Sequence, residues 1–188
     1  MNLFMNSISN PCYLALFDNN RDITATLELE VKWNESSKLI PELQNFLTNN
    51  KVNQNDLDNI VVVNGPWSFT WVRTTVLIAN TLNYVIKKDM TSLSYFDLFS
   101  EYPIIKSSSK RDCFVQKSVW ENINIIINND LDNYFIENNI TEWFWESGFE
   151  FKQTVIVEKI DYICIIQNIE FQKLSKIEPL YIKKPNIS

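Results

Sequence analysis

An apolar run at residues 60–63 leads through Asn64 into a Gly-Pro corner, and an amphipathic segment follows to about Leu82. A buried strand that turns directly into a helix is a building unit of α/β folds, and the helix N-terminus presents free N–H groups at the corner. A tight corner of this kind favours small residues. Here it contains two tryptophans, in the sequence Gly65-Pro66-Trp67-Ser68-Phe69-Thr70-Trp71-Val72-Arg73.

The composition of the chain limits which classes of protein and of active site it can belong to. The chain has 188 residues, 45% of them hydrophobic and 21% charged, which suits a globular protein with a core of its own. Its net charge of −6 argues against holding nucleic acid by its own electrostatics. It has no histidine, which excludes Ser-His-Asp and Cys-His catalysis and the common zinc sites. Histidine-dependent active sites and histidine-containing zinc sites are therefore not predicted.

The spacing of the cysteines and the hydropathy of the sequence indicate the cellular compartment in which the protein is expected. Cys12, Cys113 and Cys164 lie far apart in the sequence and form no CxxC motif, which is typical of reduced thiols in the cytoplasm. No apolar run approaches 18 residues, so we predict no membrane association. We expect a cytoplasmic protein.

The first hundred residues alternate between strand and helix patterns. Strands are predicted at 2–6, 13–17, 23–31 and 60–63, with a further strand at 84–86. Helices are predicted at 36–48 and 69–82, and a short helix at 92–99. The predicted order is βββαβαβ.

The second half is less regular. Strands are predicted at 104–106, 113–117, 123–127, 155–157 and 163–166, and helical segments near 130–138 and 168–176. Pro103 interrupts the periodicity. We therefore divide the chain into an N-terminal lobe, 1–102, and a smaller C-terminal α/β lobe, 103–188.

The corner resembles Gly-Pro-Gly-Ser-Phe-Thr-Gly-Val-Arg, the signature of the TsaB (YeaZ) family. Asn6-Ser7-Ile8-Ser9 stands where the family has Asp-Thr-Ser-Thr. Near the end of the chain, Glu178-Pro179-Leu180-Tyr181-Ile182-Lys183-Lys184-Pro185 is similar to the family's Pro-Leu-Tyr-Leu-Arg-x-Pro. The resemblance covers about residues 1–100 and the last ten, and it does not extend to 103–177.

This resemblance implies an α/β, actin-like (ASKHA, ribonuclease H-like) fold of two lobes, the second reduced. TsaB is the non-catalytic partner of TsaD, the enzyme that transfers threonylcarbamoyl to adenosine beside the tRNA anticodon, with TsaE as the ATPase. We thus expect TsaD and, through it, TsaE as partners, tRNA contact only through the complex, and no cofactor. A homodimer is a further expectation.

Trp67 and Trp71 stand at glycine positions of the family signature. The chain has 2 glycines and 6 tryptophans, whereas ordinary usage predicts roughly 13 glycines. One hypothesis is that UGA codons, read as glycine in the source organism, were translated here as tryptophan. The other is genuine substitution. The codons at both positions distinguish the two.

The resemblance also implies that the first two helices, 36–48 and 69–82, pair with TsaD or with a second copy. The residues of this predicted interface are Leu39, Leu43, Phe46, Trp71, Val72, Arg73, Val76 and Ala79. Each apolar member can equally be core, and Arg73 can equally form a salt bridge within the chain. Gly65, Pro66, Ser68 and Thr70 are predicted to shape the corner.

Asn6 stands where an active superfamily member needs an acid at the end of strand one to organise metal and water. An amide cannot act as a base, and the sequence has no glycine-rich phosphate loop. We predict a pseudo-enzyme subunit with neither catalytic residues nor a metal site. One alternative is a nucleotide-dependent small-molecule kinase of the same superfamily. The other is a peptidase, of which the absence of histidine excludes the metal-dependent kind.

Overall fold

The computed structural model describes residues 1–30, 35–145, 155–157 and 160–183, with the backbone alone at 35, 36, 145 and 155–157. Its first sheet has five strands in the order β3-β2-β1-β4-β5. Strands β1 to β3 are antiparallel, whereas β4 and β5 run parallel to β1. The strands are β1 (Asn2–Asn6), β2 (Cys12–Phe17), β3 (Ile23–Leu29), β4 (Asn59–Val63) and β5 (Asp89–Leu93).

Two long helices, α1 (Glu35–Asn49) and α2 (Phe69–Ile86), cover one face of this sheet. Alternation along the central strands explains why both faces are apolar: Leu3 and Met5 point to the helices, while Phe4 points to the opposite face. A strand buried on both faces shows a continuous apolar run, as β4 does.

A second sheet repeats the topology of the first. Its order is β10-β9-β6-β7-β8, with β6 to β8 antiparallel and β9 and β10 parallel to β6. The strands are β6 (Ile104–Ser107), β7 (Asp112–Gln116), β8 (Asn124–Ile127), β9 (Trp143–Trp145) and β10 (Val155–Val157). Helix α3 (Leu131–Glu137) packs on one face, with Phe135 stacked on Trp143.

The opposite face of the second sheet packs against the first. Ile104 and Phe114 join Phe4 in one buried cluster, which α4 (Tyr162–Asn168) completes through Ile166. The first sheet is therefore enclosed, with α1 and α2 on one face and the second sheet with α4 on the other.

A C-terminal strap, residues 172–183, returns along the molecule. Leu174 bridges Met90 of β5, and the Asn80 amide of α2 both donates to and accepts from Ile177. Lys183 then pairs with Asp112 of β7. The strap thus contacts both sheets. The division at residues 102 and 103 stays a prediction.

Three predicted elements were wrong. Residues 84–86 belong to α2, because Ala79, Asn83 and Ile86 are buried at helical spacing and Lys87 ends the helix in the left-handed conformation. Residues 163–166 lie in a helix, capped by the Asp161 side chain, not in a strand. Residues 168–176 contain no helix beyond the end of α4, only the bridge at Leu174.

Candidate functional site

The corner between β4 and α2 is built by a glycine in a conformation that other residues rarely adopt. Gly65 has φ +130°, and a Cβ at this position would lie 2.6 Å from the carbonyl oxygen of Leu180. The flanking backbone is pinned, because the N–H of Leu180 donates to Asn64 O (2.8 Å) and that of Tyr95 donates to Gly65 O (2.6 Å). These hydrogen bonds hold three segments together: the corner itself, the segment at Tyr95 and the segment at Leu180.

The other residues that are predicted to shape the corner differ in how exposed they are. Pro66 is buried beside Gly65, and Ser68 precedes the first helical residue without a side-chain capping bond. Thr70 is exposed in the first turn of α2. No ligand-binding arrangement results from these four residues.

Trp67 covers a buried lysine. Lys106 reaches from β6 and lies 4.3 Å from the Trp67 ring centroid and 3.8 Å from that of Tyr95. Its ammonium also donates to the carbonyl of Ile8 (3.2 Å). A cation between two aromatic faces in a dry environment is a strong contact. If residue 67 is glycine in the natural protein, Lys106 lacks one of these rings.

The end of β1 is closed by side chains. Asn6 is fully buried, and its amide donates to Ser9 Oγ (2.8 Å) and to the Tyr162 hydroxyl (2.9 Å). Tyr162 stacks on Tyr13 with ring centroids 3.6 Å apart. In this arrangement Asn6 holds α4 against the first sheet. Within the described part of the chain, no group of three or more His, Cys, Asp or Glu residues is placed to hold a metal.

Most of the predicted interface residues lie in the core. Six of the eight are at most 5% exposed and pack inside the chain: Leu39, Leu43, Phe46, Val72, Val76 and Ala79. Five of them pack between the helices and the first sheet, and Val72 packs in the cluster on the other face of that sheet, so all six belong to the core. Trp71 is half-buried and Arg73 is exposed.

An apolar groove of about 340 Å³ runs along the outer side of α1 and α2. Its prominent side chains are Ile40, Leu77 and Val85, which are 45%, 67% and 57% exposed. Among the described residues that line it, none carries a charge. Large aliphatic side chains left in water on neighbouring helices form a surface suited to a protein partner. Tyr84, 83% exposed, lies near its end.

Sequence reasoning missed part of this surface. Val85 and Tyr84 were assigned to a strand, whereas continuing the helical period beyond Leu82 would have placed Leu77, Thr81 and Val85 on one outer face. Ile40 follows the buried Leu39 directly and so points away from the sheet.

Beside this groove, Arg73 lies over an aromatic pair. Its guanidinium is 5.1 Å from the Phe69 ring, and Phe69 stacks on Tyr181 of the strap at 4.8 Å. Burial raises the pKa of the Tyr181 hydroxyl, although the Arg73 charge acts in the opposite direction. Arg73 therefore has a role within the chain and is also accessible from outside.

Among the described residues, none of the helices is both long enough and apolar enough to cross a bilayer.

Comparisons with known proteins agree with this architecture. Residues 30–107 match the family model of TsaD, tRNA N6-adenosine threonylcarbamoyltransferase. No curated protein matches the chain. Among solved structures it is similar to YeaZ from Pseudomonas aeruginosa, at 14% identity and a TM-score of 0.52. A second structure, an uncharacterised protein with similarity to peptidase YeaZ from the same organism, has 14% identity and a TM-score of 0.54.

Both structural matches cover 67% of this chain and 64% of the other, so this chain spans less than two thirds of the structures it resembles. At this level of identity the likeness establishes the fold. The predicted α/β fold is confirmed, and it is the fold of these YeaZ structures.

Proposed function

We propose that this chain is a non-catalytic, TsaB-like subunit that binds a TsaD transferase through the outer groove of α1 and α2. In that role it supports threonylcarbamoyl transfer to tRNA adenosine in the cytoplasm. The observation that carries the proposal is the uncharged apolar groove with its exposed Ile40, Leu77 and Val85, on a chain with the YeaZ fold.

The groove fits a helical or apolar partner surface. Its volume and its row of aliphatic side chains at helical spacing suit the ridge of another helix pair. Association would remove Leu77 and Val85 from water, which contributes about 1.5–3 kcal/mol for each side chain that becomes fully buried. The same surface can bind a second copy of the chain, so a homodimer and the TsaD complex are mutually exclusive in this proposal.

The end of β1 supports a non-catalytic role. The side chain at the strand end is an amide, that of Asn6, and it donates hydrogen bonds to Ser9 and Tyr162. The geometry around Asn6 does not favour the alternative function, a small-molecule kinase. Titration with ATP and Mg²⁺ separates the two: saturable binding would favour the kinase.

Contact with tRNA and with TsaE would come through TsaD, because the chain's net charge of −6 disfavours direct phosphate binding.

The test is size-exclusion chromatography with light scattering of this chain mixed with TsaD from the same organism. We expect a one-to-one complex that Leu77→Arg abolishes. Ile163→Arg on α4 is the matched control, since Ile163 is 60% exposed and Leu77 67%. Leu43 and Val76 are unsuitable for this purpose because arginine at either buried position would unfold the domain. Separate elution of the two proteins, or equal loss with Ile163→Arg, would overturn the proposal.

A further inference from the structure

The outer edge of β8 is unpaired within the described part of the chain. Among the described strands, β8 ends the second sheet and is hydrogen-bonded to β7 alone. Protective devices that proteins place on exposed edges, such as lysine or proline, are absent from its sequence Asn-Ile-Ile-Ile.

The hydrogen-bonding pattern between β7 and β8 shows which backbone groups of β8 face away from β7. The N–H of Asn128 donates to Arg111 O at 2.8 Å, which makes these two residues a hydrogen-bonded pair. Hydrogen-bonded pairs alternate in an antiparallel ladder, so Ile126 opposite Cys113 is the next one. Ile125 and Ile127 lie between these pairs and direct their N–H groups away from β7.

The same two residues also expose their side chains. Ile125 is 41% and Ile127 56% exposed, and both lie on the face opposite α3. Ile126 packs on the α3 side with Tyr134. One short strand thus combines unpaired backbone donors with two exposed isoleucines.

A groove of about 390 Å³ lies where the next strand would be. It is bounded by β8 and by the side of α3 that carries Tyr134. Two carboxylates, Asp130 and Glu137, line it, and no basic residue of the described part of the chain does. A strand in this groove would therefore meet negative charge on its α3 side and isoleucine on the other.

We propose that β8 binds an extended segment of another protein, with basic and apolar residues in alternation, by strand addition. Main-chain hydrogen bonds to Ile125 and Ile127 supply the pairing, and the alternation supplies selectivity. Basic side chains lie toward Asp130 and Glu137, and apolar ones lie beside the two isoleucines. This surface belongs to the second sheet and is independent of the groove on α1 and α2.

The probe is the fluorescently labelled heptapeptide Lys-Val-Lys-Val-Lys-Val-Lys, titrated by anisotropy at low salt. We expect saturable binding together with slower amide exchange at Ile125 and Ile127, measured by NMR. Glu137→Lys weakens binding about tenfold, because it replaces attraction with repulsion. Glu142→Lys is the matched control: this residue is exposed and lies outside the groove, so its change leaves affinity near the original value.

Two further experiments isolate the backbone contribution. The peptide N-methylated at every interior residue keeps its charge but cannot pair, and we expect no binding. Ile125→Pro removes one outward N–H while leaving the ladder to β7 intact, and it is expected to abolish binding with the far-UV circular dichroism unchanged. Equal binding of the methylated peptide, or of the Ile125→Pro variant, would overturn the proposal by showing attraction through charge alone. Self-association that Ile125→Pro removes would also overturn it, since the occupant would be a second copy.

Discussion

Gly65 lies where β4, the turn before Tyr95 and the C-terminal strap meet. Its φ of +130° and the 2.6 Å approach that a Cβ would make to Leu180 O leave room only for hydrogen. The backbone hydrogen bonds at Asn64 and Gly65 fix the approach, and the strap cannot withdraw without breaking the one from the Leu180 N–H to Asn64 O. The requirement for glycine here is steric.

Gly65→Ala should therefore destabilise the chain by about 2 kcal/mol or more, through the strained φ and the contact with Leu180. Urea unfolding followed by tryptophan fluorescence measures the change. Ser68→Ala is the control, since Ser68 makes no capping bond, and we expect less than about 0.5 kcal/mol. Equal stability of Gly65→Ala and the original chain would contradict the geometry of this corner.

The cysteines differ sharply in environment. Burial, together with the nearby Asp112 charge, raises the pKa of the Cys113 thiol to about 12, whereas Cys164 is exposed. Cys12 is also buried. Only the thiolate reacts with alkylating reagents, so Cys113 remains unreactive at neutral pH.

We expect iodoacetamide to modify one thiol per native chain rapidly and all three in denaturant, as counted by mass spectrometry. Cys164→Ser should abolish the rapid reaction. Modification of Cys113 at the rate of Cys164 would show that the core around β7 is open.

At the scale of elements, the C-terminal strap joins the two sheets. Its last described residue, Lys183, pairs with Asp112, which also accepts a hydrogen bond from Ser109 (2.7 Å). Burial raises the pKa of the Asp112 carboxyl, but the hydrogen bonds from Lys183 and Ser109 outweigh it, and the pKa lies below its usual value. A carboxyl with a depressed pKa stabilises the fold above its unfolded pKa of about 3.9, and this stabilisation is lost as pH falls through the folded value.

Lys183→Ala should reduce the free energy of unfolding by about 1–2 kcal/mol at pH 7, because the largely buried Asp112 carboxylate loses its cation and keeps only hydrogen bonds such as that from Ser109. The difference from the original chain should shrink as the pH falls through the folded pKa of Asp112, which lies below the unfolded value of about 3.9. Urea unfolding across pH measures both effects. Lys176→Ala, on the exposed part of the strap, should cost less than about 0.5 kcal/mol. A difference for Lys183→Ala that persists unchanged in acid would contradict this ion pair.

The elements that were predicted correctly are those whose apolar pattern fits only one type of secondary structure. β1, β2 and β4 were found near their predicted positions because each is an apolar run between polar residues. Helix α4 was taken for a strand because isoleucine favours strands, and only contacts of Ile166 and Ile169 with the distant first sheet decide for the helix. The outer groove was incompletely predicted for a similar reason: Leu43 and Leu77 are both apolar, and only packing shows which one faces water.

Viewed as a whole, the molecule has two sheets of the same topology facing one another across a shared core. That arrangement encloses the end of β1, where Asn6 and Tyr162 hold α4, and leaves the outer side of α1 and α2 exposed. The enclosed end and the exposed helices are the two features that support the proposed function. The proposed function therefore depends on whether TsaD covers the outer groove.

Hydrogen exchange with mass spectrometry, on this chain alone and with TsaD, tests that point most directly. The account predicts slower exchange in peptides covering residues 40–54 and 74–85, and no change in those covering 162–168. Unchanged exchange in both helices at concentrations where a complex is present, or slowing confined to other parts of the chain, would contradict the account.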